Sequence, residues 1–147
     1  MKRLMLILLL SFCLFPVVQA QKGLHIGEFF NRKFAKATLV QVEGRELKPY
    51  HLTLYRSFSI GEPENVADRM EQCVMADARL AYSKETGELG ERLYYAFLAL
   101  PPREGQQANR YIFYRNASLR QGGKDELTLV YMEGSVTMDE LKKLFKK

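Results

Sequence analysis

Cys73 and Asp77 stand four residues apart, a spacing that puts both on one face of a helix. With His51 they supply the residue types of a nucleophile, an orienting carboxylate and a base. A triad is defined by geometry, however, and nothing in the spacing brings His51 to the other two. Cys73 also shares a helical stripe with Val66, Met70, Val74 and Ala81, which makes it a small buried hydrophobe rather than a reactive thiol. His25 and His51 are the two histidines, too few and too scattered for a structural zinc site, which takes about four ligands. Glu62, Glu64, Asp68, Glu85, Glu88 and Glu91 offer carboxylate pairs for glycoside chemistry, but they cluster at helix ends and loops, where solvated caps account for them. There is no phosphate loop, dinucleotide fingerprint, Gly-x-Ser-x-Gly elbow or His-Glu-x-x-His helix. The expectation is a chain with no catalytic residue, no metal and no cofactor. Asn116-Ala117-Ser118 matches the N-glycosylation sequon, a motif too short to carry a function.

The tyrosines invite a binding reading. Of eight, Tyr50, Tyr55, Tyr94, Tyr95, Tyr111, Tyr114 and Tyr131 fall on predicted strands, and Arg56, Arg110 and Arg115 lie among them. Tyr94, Tyr111, Tyr114 and Arg115 are the candidate binding residues, an aromatic and basic platform on which sugars, peptides or bases would stack. Sheet packing competes with this reading, since aromatic residues are favoured in strands and Tyr accepts a half-buried place.

These residues belong to a chain of 147 residues with 22 Lys+Arg against 17 Asp+Glu and 47% hydrophobic content. That composition excludes intrinsic disorder and a disulfide-dense scaffold, and the length fits one domain. Met1-Lys2-Arg3 followed by the apolar run Leu4 to Val18 reads as a secretory leader, with Val18-Gln19-Ala20 as its cleavage site. The expected division is therefore a signal peptide over 1–20 and one globular domain over 21–147. The apolar run is shorter than the roughly 20 residues of a bilayer span, so no stable membrane span is expected after cleavage. Export to the periplasm or beyond follows, leaving Cys73 as a single thiol after loss of Cys13. The mild basic excess culminates in Lys142-Lys143-Leu144-Phe145-Lys146-Lys147, where cations suit a helix C-terminus, and nucleic acid is not an expected partner.

The hydrophobic periodicity predicts a first helix over Gly23 to Phe34, then strands over Thr38 to Glu43 and Leu47 to Ile60 joined as a hairpin at Gly44-Arg45. A second helix is predicted from Pro63 to Tyr82, with Lys84 to Gly90 as a loop. Strands over Arg92 to Leu100, Arg110 to Ala117 and Leu127 to Met132 follow as a meander, the first of them central and covered on both faces. The last helix opens on the capping box Thr137-Met138-Asp139-Glu140, with Val136 and Leu141 as a hydrophobic staple. The expected fold is α+β, a mainly antiparallel sheet of about five strands with helices packed on it.

The Phe-rich first helix, the Leu52 to Phe58 strand and the closing strand–Glu133-Gly134-Ser135-Val136-Thr137 helix entry, behind a leader, resemble small secreted Bacteroidetes domains of unknown function. The resemblance implies export and a compact α+β domain, with no catalytic assignment to carry over. Two functions are compatible with these readings. One is an exported, non-enzymatic interaction module that binds an envelope protein or a glycan through a sheet face or an exposed edge strand. The other is a small hydrolase or small-ligand-binding protein whose site joins His51 or Cys73 to a carboxylate in a concave pocket.

Overall fold

A computed structural model describes residues 23–145. The expected leader, its cleavage site after Ala20 and Cys13 lie outside the described residues. Helix α1 (Gly27–Asn31) precedes β1 (Ala37–Glu43), a 3₁₀ segment (Gly44–Tyr50) and β2 (Leu52–Gly61). After a 3₁₀ turn at Pro63–Asn65 come α2 (Ala67–Ala78), β3 (Ser83–Leu89), β4 (Arg92–Leu100), β5 (Asn109–Asn116), β6 (Glu126–Gly134) and α3 (Met138–Phe145). The six strands form one sheet in the order β1-β2-β6-β5-β4-β3. Every neighbouring pair is antiparallel, so the fold is α+β, as the sequence predicts.

The hairpin β1–β2 and the meander β3 to β6 are joined where β2 pairs with β6, Tyr55 opposite Met132. Ser83–Leu89 is the element the sequence does not announce, because its side chains are polar and mostly exposed; its strand conformation comes from pairing with β4. It takes the outer edge, so β4 is covered on both faces as expected but is next to last in the sheet rather than central. Residues 44–50, predicted as the turn and the start of a strand, instead coil as 3₁₀ helix with Pro49 inside it. Proline has no N–H to give a sheet ladder, and the chain leaves the segment through His51 at φ 57° before β2 begins. Gly134 sits where the His51–Leu52 backbone crosses the sheet, and a Cβ there would collide with it.

Alternation along the strands sorts the core into two layers. On the first face α1 and α2 cover Leu54, Phe58, Leu98, Ile112, Leu127, Leu129 and Tyr131. Phe29, Phe34 and Phe58 pack ring against ring there, with centroids 5.5 to 5.7 Å apart. On the second face Leu47 of the 3₁₀ segment and Leu141 of α3 cover Leu52, Ala99, Tyr111 and Met132. The capping box is formed as predicted: Thr137 Oγ1 accepts from the Glu140 N–H at 3.2 Å and Glu140 Oε1 from the Thr137 N–H at 3.1 Å. Val136 and Leu141 are both fully buried, as a hydrophobic staple requires.

Candidate functional site

The second layer is short. The 3₁₀ segment and α3 shelter only one end of the second face, and beyond Val130 the strands stand open. Above that open half rises the connection from β5 to β6, residues 117–125, which turns the flat face into a trough of about 680 Å³. Tyr55, Tyr94 and Phe113 supply its aromatic surface, and Arg115, Arg120 and Lys124 its charge. Glu126 is the sole carboxylate among its lining residues.

An irregularity in β4 explains how Tyr94 joins the trough. Gly87 of β3 pairs with Tyr95 while its neighbour Glu88 pairs with Leu93, so Tyr94 is the extra residue of a β-bulge. Alternation restarts across the bulge: Leu93 and Ala96 remain in the first-face core while Tyr94 and Tyr95, consecutive in sequence, pack edge to face at 6.3 Å. The Tyr95 ring lies over Gly87, where any Cβ would collide with it. Arg115, paired with Tyr95 across the strands, sits 5.6 Å from the centre of the Tyr94 ring, and its Nη2 donates to the Tyr94 hydroxyl oxygen at 3.1 Å. That hydrogen bond, with the positive charge of Arg115 and Arg120, holds the Tyr94 phenol below its ordinary pKa against the opposing effect of burial.

The trough is positive on balance, three basic side chains against Glu126. Some cations elsewhere are matched to acids, Arg69 to Glu28, Arg92 to Asp68 and Glu71, Arg103 to Glu133 and Lys142 to Glu85, while others such as Arg45, Lys48 and Arg79 stand singly among the described residues; the trough gathers three such cations in one concavity. No described carboxylate lies within ion-pair distance of Arg115, Arg120 or Lys124.

Two of the four residues singled out from the sequence, Tyr94 and Arg115, therefore meet in this trough. Tyr111 and Tyr114 do not join them. Three positions apart on one strand, they point to opposite faces and both are buried. The Tyr111 hydroxyl donates to the Val136 carbonyl at 2.6 Å beneath α3, and Tyr114 belongs to the first-face core. Burial raises the pKa of both phenols, and neither ring presents a face to a ligand. Arg56 and Arg110, named with them, are also occupied: Arg56 lies over the Phe30 ring at 4.9 Å and Arg110 Nε donates to the Pro101 carbonyl at 2.8 Å. Sequence reading missed Arg120, Lys124 and Phe113, and the hint available was the basic, glycine-containing connection that follows the aromatic strand.

The groups of the hydrolytic reading are separated by the sheet. Asp77 is fully buried on the first face, where it accepts from the His25 and Ile26 N–H groups at 2.7 and 2.9 Å and so anchors the entry to α1. Cys73 is buried beside it, its Sγ donating to Glu28 Oε1 at 3.4 Å. Burial and that neighbouring carboxylate push the thiol up to about 12, which keeps it protonated and inert. His51 lies on the other side, its Nδ1 3.0 Å from Glu140 Oε2 at the start of α3. Both histidine side chains are 60% exposed. Among the described residues no group of three or more His, Cys, Asp or Glu could hold a metal ion, and no helix is long and apolar enough to cross a membrane. The sequon asparagine, Asn116, is buried and accepts from the Ser118 N–H.

Among protein families, one described as a family of unknown function (DUF6108) has a model that matches residues 13–145. No curated protein and no solved structure matches the chain.

Proposed function

The chain belongs to that family of unknown function, and from its own surface we propose that it is an exported, non-enzymatic binding module whose ligand seat is the open trough of the second face. The observation that carries this reading is the set of three cations, Arg115, Arg120 and Lys124, none in an ion pair among the described residues, around the half-buried aromatic rings of Tyr94 and Tyr55. Three cations against the one carboxylate of Glu126 leave the trough net positive, and an anionic group of a ligand relieves their mutual repulsion. The arginine beside Tyr94 is already oriented by its hydrogen bond, so little side-chain freedom remains to be lost on binding. Export rests on the basic and apolar leader over residues 1–20.

Phenyl phosphate, which joins an aromatic ring to an anion, is the probe that tests the seat. In ¹H–¹⁵N NMR it is expected to shift the amides of Phe113, Arg115 and Thr128 and to leave α2 unchanged. The R115A/R120A/K124A variant is expected to lose the shifts. Perturbation confined to the first face, or equal in that variant, would overturn the reading.

A second reading rests on the outer edge of β1. Ala37 to Val42 carry no charge, and Leu39 and Val40 are exposed on opposite faces, whereas the other edge, β3, carries Lys84, Glu85 and Glu88. An uncharged open edge accepts a partner's strand. A photo-crosslinker at Leu39 that captures the same protein as one at Tyr95 would place that partner across the face and the edge together.

A further inference from the structure

The trough does not end at Tyr55. The same ring walls a second concavity of about 350 Å³, lined otherwise by Leu47, Tyr50, Leu52, Met132, Leu141 and Leu144. Apart from the Tyr hydroxyls these side chains carry no hydrogen-bonding group, so this pocket offers a ligand only apolar contact. It lies between the 3₁₀ segment and α3, and its rim is made of exposed apolar residues, Tyr50 at 48% and Leu144 at 43%. One face of one sheet therefore presents a cationic aromatic seat and an apolar pocket side by side, with Tyr55 belonging to both.

We propose that the ligand is a single-chain anionic amphiphile of the fatty-acid type, its carboxylate among Arg115, Arg120 and Lys124 and its hydrocarbon chain laid past Tyr55 into the Leu52–Met132–Leu141 pocket. This rests on the reading of the trough as the ligand seat and adds the chemistry of the ligand. Two independent features select it. The charge calls for an anion, because the three cations outnumber the single lining carboxylate, Glu126, and none of them is in an ion pair among the described residues. The adjoining pocket calls for hydrocarbon, because burying apolar surface there is favourable and burying a polar group without a partner is not. The dimensions agree. Arg115 faces Thr128 across the ladder and Tyr55 faces Met132, four residues or about 13 Å further along β6; because Arg115 and Tyr55 lie on the two strands flanking β6, about 10 Å apart across the sheet, the span between them is about 16 Å. An extended chain of about ten carbons covers the part along the strands, and one of about thirteen the whole.

Calorimetric titration of the full chain with decanoate, decanol and hexanoate, each below its aggregation concentration, tests the inference, with the NMR shifts locating each probe. Decanoate is expected to bind about 250-fold more tightly than hexanoate, from roughly fourfold per methylene for its four additional methylenes. R115A/K124A is expected to weaken decanoate about tenfold and to leave decanol unchanged. L144D and Y50S, at the exposed rim where the fold tolerates change, are expected to weaken decanoate and decanol alike and to leave phenyl phosphate unchanged. If decanoate binds no better than hexanoate while phenyl phosphate still occupies the trough, the amphiphile is wrong and the seat stands. If neither probe perturbs the trough, both fail. Binding to decanoate-doped vesicles without binding to monomeric decanoate would overturn the inference in favour of a membrane surface. Concentration-dependent dimerisation with shifts at Leu52, Leu141 and Leu144 would overturn it in favour of a second copy.

Discussion

On one face of the sheet, α1 and α2 seal an all-aromatic corner of Phe29, Phe34 and Phe58, and the buried Asp77 carboxylate beside it is satisfied inside the protein. On the other, the 3₁₀ segment and α3 seal Tyr111 and Met132 but leave Tyr94, Tyr95, Phe113 and Arg115 without a layer above them. The same strands serve both faces, so the difference lies in how much helix the chain lays on each. Asp77 typifies the closed face, a fully buried carboxylate that takes two backbone N–H groups and a histidine nitrogen. Arg115 typifies the open face, a charge whose fixed partner is a phenol rather than an acid. A surface kept open, aromatic and net positive is the kind that binds something else.

The two faces are expected to differ most at their packed rings. Phe58→Ala on the closed face is expected to lower stability by about 3 to 5 kcal/mol, and Tyr95→Ala on the open face by about 1 kcal/mol or less, both read from urea unfolding. Equal losses would show the second face to be as tightly packed as the first. The tyrosine hydroxyls give a finer test. Tyr111→Phe, which removes the donor to the Val136 carbonyl, is expected to lower stability by about 1 kcal/mol, and Tyr94→Phe to leave it within error.

Acid is expected to weaken both faces, each through one carboxylate. The Arg69 hydrogen bond lowers the pKa of Glu28 on the closed side, and the His51 contact lowers that of Glu140 on the open side, both from an ordinary 4.5. A carboxyl group depressed in the folded state stabilises the fold above its unfolded value and loses that contribution as pH falls through the lower folded value. Unfolding followed from pH 6 to pH 2 is therefore expected to show falling stability below about 4.5. Glu28→Gln and Glu140→Gln are each expected to flatten part of that slope. The smallest effect is spectroscopic. In an alkaline titration of tyrosinate absorbance, Tyr94 is expected to ionise ahead of Tyr111, Tyr114 and Tyr131, whose phenols burial holds up. Arg115→Ala is expected to remove that early step, and a bound anion to delay it.

Local signals were legible wherever a residue pattern answers to a local interaction. Thr137 and Glu140 satisfy each other's backbone groups within one helical turn, so the start of α3 could be read directly. The apolar run Leu93 to Leu100 announced β4 over its whole length. Ser83–Leu89 could not be read, because its partner lies on another strand and its own side chains meet water on both sides. The candidate site was half legible for the same reason. Period-two alternation says that Tyr111 and Tyr114 face opposite ways, but not that helices cover both. It assigns Tyr94 and Tyr95 to opposite faces, until a bulge set by pairing with Gly87 puts them together.

Residues near one another in the chain were enough to establish the α+β class, the inert setting of Cys73 on an apolar stripe and the capped final helix. Folding in three dimensions was needed to sort core tyrosines from surface ones, to bring Arg120 and Lys124 over Tyr94 on the β5–β6 connection, and to make Tyr55 the wall between a charged seat and an apolar one. Those features depend on which helix covers which row of a shared sheet, and coverage is a property of packing between distant segments that no local pattern encodes.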